Sequence, residues 1–262
     1  MRARRIILWI VGLVVGVPLG LVVLALVVVL IGINIGPGQR LIESKVGPLT
    51  GGMVQIAGLS GALPQHLTLA ELRVKDSKGV WLELDHFELR WSPLSLLHMD
   101  AHVKALSASR LALLRSPVSD RTQTTTETQT NSSPSKLNIK VDLDALNVGR
   151  IEIGPDFTGK PTVFTLNGHA HIASIAPFLN GVTMQSLPKM DIALQLNRLD
   201  APGGLTLAAQ TPKDRIALAL TYKEGVNGFA TTLGQLPQLD PVDTHLNLSG
   251  PRTAAALDFG LS

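Results

Sequence analysis

Asp191-Ile192-Ala193-Leu194-Gln195-Leu196-Asn197 alternates without a break, with Ile192, Leu194 and Leu196 on one side of an extended chain and Asp191, Ala193, Gln195 and Asn197 on the other. Period two is the mark of a strand with one apolar and one wet face. The same pattern returns at Leu205, Leu207 and Ala209, at Ile216, Leu218, Leu220 and Tyr222, and at Val242, Leu246 and Leu248. Upstream, Val80, Leu82 and Leu84 alternate, and Phe87, Leu89 and Trp91 continue in the opposite phase. That slip predicts a bulge near Asp85 and His86. Ile139, Val141 and Leu143 slip in the same way into Leu146 and Val148, and Ile151 and Ile153 are shifted again. Turn chemistry separates the runs at Ser77-Lys78-Gly79, Gly154-Pro155, Asn180-Gly181, residues 201–204, Lys223-Glu224-Gly225 and Gly250-Pro251.

Helical segments are few: Gly38 to Val46, Leu94 to Met99 and Ile172 to Leu179. None is long enough to cover a sheet. The aliphatic faces therefore either close on each other as a sandwich or barrel, or line a groove that an apolar ligand occupies.

Ahead of the strands, Ile6 to Ile35 is a run of 30 residues without a charge. About 20 suffice for a helix to cross a hydrocarbon core of about 30 Å. A secretory h-region runs only about 7 to 15 residues, so the stretch reads as an uncleaved anchor, with Gly36 and Gly38 as the rival cleavage region. Arg2, Arg4 and Arg5 before it outweigh Arg40 and Lys45 after it, which puts the N-terminus in the cytoplasm and the rest across the membrane. Gly12, Gly16 and Gly20 share one face of that expected helix, where a second helix could pack closely. Glycine is also simply common in membrane helices.

The expected organisation is a cytoplasmic tail (1–5), a transmembrane helix (6–35), a first β-segment (38–115), a disordered Thr/Ser linker (116–135) and a second β-segment (136–262). The linker reading rests on SPVSDRTQTTTETQTNSSPS, which has no apolar period.

Charge and composition exclude several functions. Three of the 23 basic residues precede the apolar run and all 20 acidic residues follow it, so the remainder balances at 20 against 20. Nucleic-acid binding needs a clustered excess of Lys and Arg. Without cysteine there is no disulfide framework, thiolate nucleophile or Cys-ligated metal. His98 and His102 lie four apart and His169 and His171 two apart, but neither pair has a third ligand nearby in sequence, and no metal site is expected. Gly58-Leu59-Ser60-Gly61-Ala62 has the outline of a nucleophile elbow without the helix that motif requires. Asp142 and Asp144 share a strand face, as glycosidase carboxylates could, though such positions ordinarily face water. No phosphate-binding glycine loop and no HExxH motif occurs. Neither a catalytic residue nor a cofactor is expected. Trp81 and Trp91 either fill packed positions or anchor a rim at an apolar–wet boundary.

Several runs together resemble the N-terminal part of the TamB family, the inner-membrane subunit of the translocation and assembly module within the AsmA-like group. They are Gly51-Gly52, Leu59-Ser60-Gly61, Leu67-Thr68-Leu69, residues 72–81 (LRVKDSKGVW) and residues 87–97 (FELRWSPLSLL). Leu111-Ala112-Leu113-Leu114-Arg115-Ser116-Pro117 is similar to the family's segment before a low-complexity insertion. Gly228-Phe229, Leu233-Gly234-Gln235-Leu236-Pro237 and residues 246–251 (LNLSGP) are similar to its loop-and-paired-strand unit. Family members run to far greater length, so the chain is expected to be an N-terminal portion.

The resemblance implies a mainly β protein: an N-terminal transmembrane helix followed by an elongated, twisted, antiparallel-type β-sheet groove, an open taco or open barrel, with few short helices. It implies a single-pass protein of a bacterial inner membrane with its body in the periplasm. The implied function is a lipid-transfer conduit carrying phospholipid acyl chains between inner and outer membrane. The alternative is an assembly factor for outer-membrane proteins and autotransporters, acting by β-augmentation with a TamA-like barrel. The residues expected to face acyl chains are Leu67, Leu69, Val80, Leu82 and Leu84 in the first segment, and Ile192, Leu194, Leu196, Leu205, Leu207, Ile216, Leu218 and Leu220 in the second.

Overall fold

The computed structural model describes residues 36–118, 138–181, 183–225, 228 and 241–262. After helix α1 (Gly36–Leu49) come β1 (Val54–Ala57), β2 (His66–Asp76), β3 (Gly79–Trp91), a 3₁₀ helix (Pro93–His98), β4 (Asp100–Ala108) and β5 (Arg110–Leu113). Then follow β6 (Lys140–Ile153), helix α2 (Pro155–Thr158), β7 (Thr162–Ile172), helix α3 (Ala176–Leu179), β8 (Met190–Arg198), β9 (Gly203–Gln210), β10 (Arg215–Glu224), β11 (Val242–Pro251) and β12 (Ala256–Leu261). All twelve strands belong to one sheet, ordered β1-β2-β3-β4-β6-β7-β8-β9-β10-β11-β12, with β5 continuing the line of β4 between β3 and β6.

Two parts of the expected architecture are corrected. Residues 6–35, with Gly12, Gly16 and Gly20, lie outside the described residues, and no helix among the described residues is long and apolar enough to cross a membrane; the transmembrane helix is therefore not part of the fold described here. The sheet is also mixed, because β6 runs parallel to both β4 and β5. A parallel neighbour needs a long crossover, and the chain between Leu113 and Lys140 supplies it; most of the Thr/Ser stretch, residues 119–137, lies outside the described residues.

The two β-segments are joined by that parallel pairing into one layer. Among the described residues, the main contacts run between neighbouring strands, with α1 against β1 and the 3₁₀ helix against β4. Among the described residues, no second layer covers the sheet. Side chains on a flat single layer would stay open to water, yet Val148, Ile151 and Phe164 are buried, and Leu84, Leu146, Leu166 and Leu196 pack around them. Strand twist and bulges supply the curvature that lets neighbours on one face shield each other. A second cluster of Leu59, Leu63 and Leu69 sits at the β1 end, against Ile42 of α1 and Phe87.

The phase slips have a common cause. Leu69 and Leu72, Leu84 and Phe87, Ala108 and Leu111, and Val148 and Ile151 are each three residues apart, and their pairings are in register across β2, β3, β4–β5 and β6. The residues between them form one column of irregularity. His86 there has φ of 48°, and Ser109 donates from its N–H and its hydroxyl to the Asp85 carbonyl at 3.1 and 3.0 Å. Gly58, with φ of 67°, lies against Ala70 so closely that a Cβ would stand 2.4 Å from the Ala70 Cβ. The column ends at β7, where a single Thr165 faces the two residues between Val148 and Ile151. Each strand gains its extra residue at the same level, so its aliphatic side chains return to the same face.

Asp76 closes the β2–β3 turn. It accepts from Arg115 Nη1 at 2.8 Å, from the Val118 N–H at 2.7 Å and from the Lys78 N–H at 2.7 Å, and it also pairs with Arg115 Nη2. The Arg115 hydrogen bond, then the Val118 amide, holds its carboxyl far below the ordinary 3.8. Because the folded value is depressed, this stabilisation is complete above the unfolded value and is lost as pH falls through the range below about 4. Glu88 and Glu152, lowered first by Arg90 and Arg110 respectively, act in the same direction. The urea midpoint is expected to drop between pH 6 and pH 3, and Asp76→Asn to reduce that drop by lowering the pH 6 value; an unchanged pH dependence in the variant would show that the clamp carries no linkage.

Candidate functional site

Cross-strand pairing sorts the side chains into rows that run across the sheet. One row reads Leu67, Leu89, Leu106, Leu146, Gly168, Leu194, Leu207, Leu220, Leu246 and Phe259, each paired with the next from β2 to β12. Beside it runs Ala108, Val148, Leu166, Leu196, Leu205, Tyr222, Thr244 and Leu261. On the other side, Trp91, Val103, Leu143, Ala170, Ile192, Ala209, Leu218, Leu248 and Leu257 form a third. One face of the sheet is thus aliphatic from β2 to β12. Gly168 is the single gap in the leucine row; a Cβ there would lie 2.2 Å from the Ala193 carbonyl oxygen and 2.7 Å from a Leu194 methyl.

Most of the expected face residues lie on this face, with three distinctions. Val80 does not join Leu82, because beyond the register shift at Val74/Lys75 it pairs with Lys75. Leu69 is packed beneath Leu59 and Leu63, and Ile216 is buried, so both are covered by protein. Leu67, Leu82, Leu84, Ile192, Leu194, Leu196, Leu205, Leu207, Leu218 and Leu220 are half-buried. Sequence reasoning left Leu72, Leu89, Leu106, Leu146 and Leu166 off the face. For Leu72, Leu89 and Leu146 the signal was the three-residue spacing at each slip; Leu106 and Leu166 follow plain alternation with Ala108 and Phe164.

A fourth row begins aliphatic, with Ile56, Leu72, Leu84, Leu111, Ile151 and Phe164, and then reaches Arg198 on β8. Arg198 Nη1 donates to Glu224 Oε1 at 3.0 Å, with side chains 4% and 1% exposed. To get there Arg198 crosses β9 above Gly203, where a Cβ would press to 2.8 Å from the Lys223 carbonyl and 3.6 Å from Arg198 Cδ. The Tyr222 hydroxyl donates to Glu224 Oε2 at 2.6 Å, and Arg198 Nη2 donates to Asp200 at 2.7 Å. Burial, then the bond to Glu224, pushes the Tyr222 phenol well above its ordinary value. The aliphatic face thus ends on one side in a buried, hydrogen-bonded charge cluster.

The opposite face is polar. Across β4, β6, β7, β8 and β9 one row reads His102, Asp142, His171, Asp191 and Gln210. His102 Nε2 lies 2.9 Å from Asp144 Oδ2, and His171 Nδ1 lies 3.3 Å from Asp142 Oδ1. The structure therefore brings together His102, His171, Asp142 and Asp144, while His98 sits apart at the end of the 3₁₀ helix. Among the described residues, no group of three His, Asp or Glu is placed to hold a metal ion. Burial opposes ionisation of Asp142, but hydrogen bonds from Lys140 and His171 hold its carboxyl below the ordinary value. Ser60 forms an isolated bridge with Thr68, its hydroxyl 2.6 Å from the Thr68 hydroxyl. Trp91 donates from Nε1 to the Pro64 carbonyl at 2.6 Å.

What the arrangement can do follows from its two faces. The polar face is internally paired, whereas the aliphatic face is a broad surface of half-buried side chains that any hydrocarbon could lie against. No protein-family model, curated protein or solved structure matches this chain.

Proposed function

We propose that the chain is a lipid-transfer conduit of a bacterial cell envelope, whose aliphatic sheet face carries phospholipid acyl chains between inner and outer membrane. The observation that carries this reading is the ten-residue row from Leu67 to Phe259, unbroken by a charge and, among the described residues, without a covering layer. Strands lie about 4.8 Å apart, so ten in line span roughly 43 Å. An acyl chain in one leaflet, half of a core of about 30 Å, covers about three strand spacings. A chain lying across β7 to β10 would cover Leu194, Leu207 and Leu220 and gain about 25 cal/mol for each Å² of apolar surface withdrawn from water. Lateral movement exchanges one leucine for the next along the row, and no step needs a catalytic group. In this reading the chain works at the inner membrane and in the periplasm.

A photoreactive residue at Leu194 or Leu207, irradiated in cells, is expected to give phospholipid adducts by mass spectrometry, and one at Ala208 on the polar face to give none. Absence of adducts at both leucines would overturn the proposal.

The edge of β12 supports a second reading, assembly of outer-membrane proteins with a barrel partner. Asp243 and Ser262 exchange both backbone bonds at 2.8 and 2.9 Å. Alternation along an antiparallel pair then points the N–H and C=O groups of Leu257, Phe259 and Leu261 away from β11, where a client strand could add.

A further inference from the structure

Two of the three short helices that interrupt the strands, the 3₁₀ helix and α3, lie at the same end of the sheet. Met99, just after the 3₁₀ helix, accepts from the Lys140 N–H at 2.8 Å, and Ile139 accepts from the Ile175 N–H, just before α3, at 2.9 Å. Ala173 bonds Lys189 at 2.9 Å, and Thr211 bonds Met190 at 3.0 Å. These links make one continuous rim from β4 to β10. On it Leu94 is 71% exposed and Leu97 78%, and Met99, Phe178 and Leu179 are also exposed. Five large apolar side chains in water at one end of a sheet mark a contact surface.

Its charge indicates the partner. Residues 92–99 and 173–189 contain no Asp or Glu, and exposed Lys189, Lys213 and Arg215 flank them, beside exposed Asp214 and the half-buried Asp100 and Asp191 at the starts of β4 and β8. Among the described residues the rim is made of strand ends and short helices, so it offers no strand edge along which a peptide could pair. Leu, Met and Phe on short helices beside basic side chains fit the headgroup boundary of an anionic leaflet, which accepts apolar side chains without shape matching and attracts Lys and Arg. The rim is also continuous with the aliphatic face through the row Ala101, Val141, Ile172 and Met190.

We propose that this rim docks on an anionic phospholipid bilayer, with Leu94, Leu97, Met99, Phe178 and Leu179 entering the headgroup–acyl boundary. Docking there would open the aliphatic rows to the leaflet; that last role rests on the conduit reading, while the docking itself does not. The absence of cysteine allows single reporters. The full chain carrying Leu97→Cys, Leu179→Cys or, at the opposite end, Lys78→Cys is labelled with an environment-sensitive dye and reconstituted in vesicles of phosphatidylcholine and phosphatidylglycerol containing a shallow lipid-borne nitroxide. The labels at 97 and 179 are expected to be quenched at least threefold more than the label at 78, and to fall to its level when Leu94→Asp and Phe178→Asp are added. Equal quenching at all three sites would overturn the proposal, as would labels at 97 and 179 that become shielded only when membrane-protein extract is added, which would mean a protein partner. Rim quenching without lipid adducts at Leu194 and Leu207 would sink the conduit and leave the docking; adducts without rim quenching would do the reverse.

Discussion

Arg198→Met is expected to lower the unfolding free energy by about 3–5 kcal/mol, the usual cost of removing one partner from a buried ion pair. With the guanidinium gone, Glu224, whose side chain is 1% exposed in the parent, would keep its bond from Tyr222 but lose the countercharge of Arg198. A lone buried carboxylate must either remain ionised in a poor solvent or take up a proton. The double variant Arg198→Met, Glu224→Leu removes both charges and should recover most of the loss, since buried pairs are often replaceable by apolar side chains of similar size. Urea denaturation followed by circular dichroism measures both. A single variant within about 1 kcal/mol of the parent would show that the cluster is solvated and that the fourth row ends open to water.

Leu207→Glu and Ala208→Glu put the same charge one residue apart on opposite faces of β9. At 207 the carboxylate enters the middle of the leucine row between Leu194 and Leu220; at 208, itself exposed, it joins the alanine column with Ala193 and Ala219 on the polar side. A charge among acyl chains costs about 2.5–3.5 kcal/mol on insertion scales, and 1.4 kcal/mol is a factor of ten. Allowing for the side chain bending away, lipid adducts from a photoreactive residue at Leu194 should fall at least tenfold in Leu207→Glu and stay unchanged in Ala208→Glu. Equal adduct yields in the two variants would mean that lipid does not follow this row.

Much of the sheet is legible along the chain because its faces are so different. Ile192, Leu194 and Leu196 identify their strand and their side without any partner. The slip between Leu84 and Phe87 marks the irregularity at His86 from sequence alone. The parallel join between β4 and β6 is not legible, since period two is the same for parallel and antiparallel neighbours and the connecting chain carries no pattern. Nor was the Arg198 cluster found. Arg198 is in phase with Leu196 and Glu224 with Tyr222, but Glu224 read as part of the Lys223-Glu224-Gly225 turn and Arg198 carried no signal of its own; opposite charges at the in-phase ends of two nearby strands were the available clue. The rim was hidden for another reason: the leucines of residues 94–97 look like buried helix until the neighbours that would cover them prove to lie elsewhere.

The column running from Gly58 and Ala70 through His86 and Ser109 to Gly149 makes the early strands hostages to one another. An inserted or deleted residue in any one of them would turn the remainder of that strand inside out, unless its neighbours changed length at the same level. Lengthening this part of the sheet along its strands is therefore a concerted event, whereas from β7 onward a new hairpin could be spliced in without consulting the rest.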